Sequence, residues 1–322
     1  MFNWKAQRTA TLPDTRIVEQ GNLQISIDNK YNLATKDYYE YCASLLLKES
    51  SFVRNKFNLI LGDHDEHFAN KGPTFRVGLQ TEHTLVKPGG RDSKNAPQGS
   101  IPIDACEMKY LVRLDSYKKL RRMDAILDYS RANIVNIKRS SHYKDIQAKI
   151  HHIFPLIYDK PCFSNQDRDI ECITMFGSLE EKRRKMFLEQ CDQRIEVRNI
   201  SGIYSSIDKH YSRVKVLLNI HQTDYHDTAE MLRIIPAMMN GVIVISETSP
   251  LLEEAFIKNL AIWSPIEQIP DVAQKTIENY KEIHRALFSK KLLTRLERLS
   301  KYNKLVCQKV LASLDQKASI AN

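Results

Sequence analysis

The sequence predicts an α/β protein: two Rossmann-like domains in series, facing a central cleft, followed by a helical C-terminal tail. Three observations carry this. Short apolar runs at 57–61, 170–176, 214–220 and 242–245 read as buried strands, the pattern of parallel sheets covered by helices on both faces. Most of these runs stop in polar residues and lead toward stretches with helical periodicity. Midway along the chain a polar, proline-containing stretch, DKPCFSNQDRD at 159–169, interrupts the alternation and marks a boundary. The expected division is a first α/β domain over 1–160, a second over 161–275, and terminal helices over 276–322 that pack back on the first domain.

Taken in order, residues 1–20 read as a loosely held arm and 23–27 as a short strand. Residues 32–48 predict a helix with Thr35 as its cap. The strand at 57–61 ends at Gly62 and is followed by Asp63-His64-Asp65-Glu66-His67; the strand of 75–79 ends similarly in Gln80-Thr81-Glu82-His83. Residues 87–100 are rich in Gly, Pro and Ser, a loop that suits either a surface excursion or a flap. A helix is expected over 109–122, a strand over 124–130 and a short element from 133. In the second half the strand of 170–176 leads into a helix ending near 191, and a short strand follows at 195–200. The strand of 214–220 leads into a helix over 227–239, and the strand of 242–245 into a short helix at 251–256. Two long amphipathic helices are expected over 272–314.

Composition bounds the function. The chain has 322 residues, 42% hydrophobic and 27% charged, which is globular rather than disordered. The net charge of +9 suits phosphorylated substrates or an anionic membrane surface. The basic clusters at 118–122, 182–185 and 290–304 have acidic neighbours and no alternating aromatics, so nucleic acid is not an expected partner. Six cysteines at 42, 106, 162, 172, 191 and 307 form no C-x-x-C pair, and no strong metal spacing occurs, so no metal is expected. The thiols read as reduced core residues. The N-terminus lacks the apolar stretch of a secretory signal, and no run reaches the 18–20 apolar residues of a membrane span. A cytoplasmic location is expected, with peripheral contact at the inner face of the membrane compatible with the charge.

In open α/β sheets ligands sit beyond the carboxyl ends of the strands, so the residues just after each strand are the candidates. Gly177 permits a turn, and Ser178 with Glu181 has the spacing of a capping box. Lys182, Arg183 and Arg184 add positive charge at a helix start that already favours anions. His221 follows the strand of 214–220, and Arg233, leading into an apolar helix, needs an anionic partner. Ser246 and Glu247 emerge from the next strand, where a carboxylate can accept ribose hydroxyls. In the first half, Glu82 and His83, with Asp63 and His64 as the other dense acid/base pair, are candidates for a general base.

The segments FGSLEEKRR, VKVLLNIHQTDYHDTAEMLRIIPAMMNGVIVISE and the helical tail resemble the nucleotide-binding half of GT-B class glycosyltransferases, in particular bacterial members with an Asn-Ile-His strand end. GLQTEH and DAILDYSRANI are similar to the acceptor half of those proteins. The resemblance implies a nucleotide-sugar donor held by the second domain, with Gly177, Ser178, Lys182 and Arg183 near the diphosphate. His221 and Arg233 would line the donor pocket, and Ser246 and Glu247 would face ribose or sugar. It implies transfer without a bound metal or other cofactor, and a glycan, lipid-linked or other hydroxyl acceptor on the first domain. The common retaining pattern of two glutamates is not met, since Pro236 and Thr228 stand in those places, and this leaves stereochemistry open. A hydrolase or epimerase of nucleotide-sugars and a non-catalytic binding or assembly protein are the alternatives on the same fold.

Overall fold

A computed structural model describes residues 15–28, 35–66, 68, 71–82, 84–89, 100–103, 108–158, 160–165, 167–177, 181–192, 194–200, 207–222, 229–249 and 258–321. The first unit runs β1 (Thr15–Gln20), β2 (Leu23–Asp28), α1 (Lys36–Lys48), β3 (Phe57–Leu61), β4 (Thr74–Gln80), β5 (Leu85–Val86), β6 (Ser100–Ile103), β7 (Met108–Val112), α2 (Tyr117–Leu120), β8 (Ala125–Asp128), α3 (Arg131–Arg139) and β9 (Ile150–His152). Its sheet has the order β1-β2-β3-β4-β8-β9. All neighbours from β2 onward are parallel, and β1 closes the edge antiparallel to β2. The second unit runs β10 (Ile170–Thr174), α4 (Lys182–Cys191), β11 (Val197–Asn199), α5 (Ile207–Tyr211), β12 (Val214–Asn219), α6 (Met231–Met239), β13 (Ile243–Glu247) and β14 (Ile262–Ser264). Its sheet is wholly parallel, in the order β11-β10-β12-β13-β14. Helices α7 (Ile269–Glu278), α8 (Tyr280–Leu287) and α9 (Lys290–Ala321) complete the chain. Two parallel-sheet α/β units with a helical C-terminal region are thus the fold, as the alternation of apolar and amphipathic segments requires.

The central strands form where they do because they are buried on both faces. Every residue of β3 and β8 is buried. One hydrophobic cluster joins α1 and the inner face of the first sheet to α6, β12 and α9, so the two units share a continuous core. Separate clusters cover the outer faces. At the amino ends of the second sheet, buried Arg168 donates to the carbonyls of Ser164, Tyr211, Val214 and Asn240. Gly241 turns the end of α6 into β13 with φ of 70°, a left-handed conformation that glycine adopts without a side-chain penalty. Helix α9 returns to the first unit. Asp315 accepts the backbone N–H of Asn55 at 2.8 Å and Arg54 at 3.1 Å, and Asn303 bonds both the N–H and the carbonyl of Phe154. No helix among the described residues is long and apolar enough to cross a membrane.

Several local expectations are corrected. Residues 15–20 of the expected arm form β1, held by backbone pairing to β2 rather than by buried side chains. The helix expected over 109–122 is instead strand β7 followed by the single turn α2; β7 joins β5 and β6 in a small antiparallel sheet. Thr35 does take the N-cap position of α1, and its carbonyl accepts from Tyr38 and Tyr39, but its side chain makes no capping hydrogen bond. Glu181 stands at the N-cap of α4, and the Ser178 half of the expected capping box lies outside the described residues. The tail is broken into α7, α8 and α9 at Asn279 and at 288–289 rather than into two helices.

Candidate functional site

The second sheet reverses its winding between its first strand, β10, and its third, β12, which are neighbours. A crevice opens at such a switch point, beyond the carboxyl ends of the strands. A cavity of about 180 Å³ lies on this side of the molecule and is shared by both units. Thr81 and Tyr129, just beyond β4 and β8, line it from the first sheet; Met175, Glu230 and Arg233 line it from the second. Thus the carboxyl ends of both sheets address one space. Pro236 has no N–H to give the carbonyl of Leu232 in α6, and both residues line the cavity.

Around the switch point the charged residues are paired. Glu247, the last residue of β13, receives both terminal nitrogens of Arg183, one at 2.9 Å, and the backbone N–H of His221 at 3.1 Å. The Arg183 guanidinium also donates to the His221 carbonyl at 3.2 Å. His221 is 2% exposed, with Nδ1 at 3.6 Å from the Glu247 carboxylate. Arg233 pairs with Glu230 at the start of α6 and lies 3.5 Å from Asn219 Oδ1 at the end of β12. Asn219 in turn donates to the Ser246 hydroxyl at 3.0 Å. One polar chain therefore runs from the cavity wall at Arg233 to Glu247 and Arg183.

The predicted residues are divided as follows. Arg183, His221, Ser246 and Glu247 are brought together, and Arg233 joins them through Asn219. Glu247 is held by Arg183 rather than standing alone, and Arg233 has found its acidic partner within the protein. Gly177 follows β10, and a Cβ built there would meet nothing within 4 Å among the described residues, so a ligand can approach the backbone. Lys182 is exposed on α4. Arg184 does not join the expected basic cluster: it is buried, with its guanidinium 4.5 Å from the Phe176 ring centre. Ser178 and His83 lie outside the described residues, as do 223–228.

The first unit presents a different chemistry. His64 follows β3. Its Nε2 lies 2.8 Å from the hydroxyl of Ser26 in β2, and that hydroxyl donates to Glu66 at 2.9 Å. A serine hydroxyl has one proton. With that proton on Glu66, Nε2 must be the protonated nitrogen and Nδ1 carries the lone pair. Nδ1 is buried and has no hydrogen-bond partner among the described residues. Burial lowers the His64 pKa, so the ring is neutral at pH 7. Asp63 is drawn off instead into a surface pair with Arg122 at 2.9 Å and Lys119 at 3.7 Å. Glu82 follows β4; its carbonyl accepts from Gln80 and Asn133.

Asp128 was not singled out by the sequence, although the strand-end rule that selects Glu247 applies equally to it. It is fully buried at the end of β8, and burial pushes its pKa up to about 8. Oδ1 accepts from the Ser130 N–H at 2.8 Å and from Asn133 at 3.2 Å, while Oδ2 has no partner among the described residues. Asn133 also binds Thr84 and the Glu82 carbonyl, tying the end of β4 to α3. Ser26 carried no sequence signal, because its meeting with His64 and Glu66 depends on the pairing of β2 with β3. Among the described residues no cluster of three or more His, Cys, Asp or Glu could hold a metal ion.

No protein-family model matches the chain. A stretch of 192 residues, 56% of this chain, is 25% identical to an uncharacterized protein of Acanthamoeba polyphaga mimivirus. The match spans 65% of that relative's length, just under two thirds. Among solved structures, a glycotransferase of kitacinnamycin is similar at 10% identity and a TM-score of 0.38, over 90% of this chain and 83% of that one. An alpha-glucosyltransferase solved with UDP-glucose and DNA containing an abasic site is similar at 10% identity and a TM-score of 0.37, over 85% and 79%.

Proposed function

We propose that the chain is a glycosyltransferase of the GT-B type, akin to the bacterial members it resembles in sequence, which moves a sugar from a nucleotide-sugar to a hydroxyl acceptor without a required metal. The observation that carries the reading is the cavity lined by the carboxyl ends of both sheets, with the Arg233–Glu230 pair on the second unit and Asp37, Thr81 and Tyr129 on the first. The donor lies on the second unit. Its diphosphate approaches Gly177 and the N-terminus of α4, with Lys182, Arg183 and Arg233 opposing the charge that grows on the leaving group. His221, Ser246 and Glu247 fix the nucleoside or sugar.

The acceptor, a glycan or a lipid-linked or other hydroxyl, lies on the first unit. His64 Nδ1 is the general base that takes its proton: the ring is neutral and oriented by Ser26, and Nδ1 has no partner among the described residues. Glu82 lies at the same sheet edge. Asp128, protonated at neutral pH, holds the 82–84 segment in place through Asn133. The enzyme acts in the cytoplasm, in peripheral contact with an anionic membrane.

Calorimetric titration with a panel of UDP-, GDP-, CMP-, ADP- and dTDP-sugars, with and without chelator, tests the donor site. Selective binding of one nucleotide is expected, insensitive to chelator. Arg233→Ala would leave Glu230 without its cation and cost up to about 3 kcal/mol of stability. The double variant Arg233→Met with Glu230→Gln removes both charges, so lost binding in a folded sample reports the ligand contact. Absence of binding to every donor by the folded wild type overturns the reading in favour of a binding or assembly protein.

A further inference from the structure

A second cavity, of about 470 Å³, opens on the molecule where α1, α6 and α9 meet. Its floor is apolar. Leu45 comes from α1, Leu156 from the segment after β9, Met239 from α6, and Leu293 and Leu296 from α9. Four of these are buried, and Leu293, at 37% exposure, is a large apolar residue left open to solvent. Lys48, Lys160, Lys301 and Lys304 also line the cavity, against the single carboxylate of Glu297, so four positive charges face one negative. Lys160, Lys301 and Lys304 make no ion pair among the described residues. The hydroxyl of Tyr158, which lines the same space, is buried and has no hydrogen-bond partner among the described residues.

An apolar slot of this size is within the range of small-molecule sites. Lysines around it can lay their stems on an apolar chain and keep their ammonium groups at its charged end. Helix α9 extends this character. Eight basic residues stand against two acidic along 290–321, and Leu305 on it is 64% exposed. A basic helix with exposed leucines beside an apolar slot matches an anionic amphiphile in both of its parts.

We propose that this groove is a binding site for an acidic membrane lipid, which seats an acyl chain between α1 and α9 while its headgroup meets Lys160, Lys301 and Lys304. The site is distinct from the sheet-end cavity and does not depend on sugar transfer. It assigns the membrane contact to one face of the protein, the face on which α9 crosses back to the first unit.

The test is co-sedimentation of the full chain with vesicles of phosphatidylcholine alone and of phosphatidylcholine mixed with phosphatidylglycerol. Binding to the mixed vesicles and not to the neutral ones is expected. Lys301→Glu with Lys304→Glu should weaken binding about thirtyfold or more. Leu293→Glu, a single charge change at the mouth of the groove, should weaken it about tenfold or more by excluding the chain. Lys275→Glu with Lys281→Glu, the same net change on α7 and α8, should leave binding within about twofold. All four substituted lysines and Leu293 are exposed, and an unchanged thermal melt shows that each variant is folded. No binding of the folded wild type to acidic vesicles overturns the proposal. So does equal weakening by the control pair, which would mean a general charge effect, or full binding by Leu293→Glu, which would mean surface adhesion without use of the groove.

Discussion

The strand ends of the two units face one cavity with opposite electrostatic designs. On the second unit the titratable groups are charged and paired: Arg183 with Glu247, Arg233 with Glu230. On the first, beside the Asp63–Arg122 surface pair, three desolvated groups are neutral at pH 7: Asp128 keeps its proton to about 8, His152 loses its proton down to about 3, and His64 is held below its ordinary pKa. Burial is the leading cause in each of these three. Paired charges give a fixed field suited to holding an anion. Neutral groups near their point of proton exchange are suited to moving a proton. The contrast divides the labour of the proposed transfer, and it can be broken or sharpened at four places.

The largest expected effect is at His64. His64→Gln should lower kcat by roughly 10²–10⁴-fold while donor affinity stays unchanged, read by steady-state kinetics beside calorimetry. A loss confined to donor binding would erase the distinction between the two sides. Next is Glu247→Ala, which strands the partly buried Arg183 guanidinium and removes the acceptor of the His221 N–H. It should cost about 2 kcal/mol in denaturant unfolding, between the values for exposed and buried pairs.

Asp128→Asn should act through pH. The folded carboxyl titrates at about 8 and the unfolded one near 4. Between those values the native state binds the extra proton, so this contribution to stability is complete below about pH 4 and falls as pH rises toward 8. The amide reproduces the protonated form, because Oδ1 keeps both hydrogen bonds and the substituted atom is the partnerless Oδ2. The variant should therefore melt higher than wild type at neutral pH and show a flatter profile over that window. His152 has the opposite sign. Its stabilisation is present above about 6.5 and is lost as pH falls toward 3. The smallest expected effect is on stability in Gly177→Ala, within about 1 kcal/mol of wild type, because the new methyl meets nothing. Any weakening of donor binding there would then report direct contact with the ligand.

Much of the fold was legible because its strands are buried on both faces, and such segments announce themselves as apolar runs. Where this condition fails the reading fails. β1 is an edge strand paired along its backbone to β2, and β7, MKYLV, is a short apolar run whose periodicity does not tell a strand from a helix. On the second unit, Arg183, His221, Ser246 and Glu247 were found together because each follows or ends a strand of one sheet. Arg184 was misread because a run of basic residues does not show which one the Phe176 ring will cover. Asp63 and His64, adjacent in sequence, part company, one to a surface ion pair and the other to Ser26.

The sequence by itself determined the α/β alternation, the two-unit plan and the strand-end positions where chemistry gathers, since local hydrophobic periodicity dictates all three. Only the tertiary structure decided which carboxylate would be charged. Glu247 and Asp128 both end apolar strands, but one meets a guanidinium and the other, fully buried, meets neutral donors among the described residues. Desolvation and the nearest opposite charge set a group's ionisation, and both depend on neighbours that arrive from distant parts of the chain.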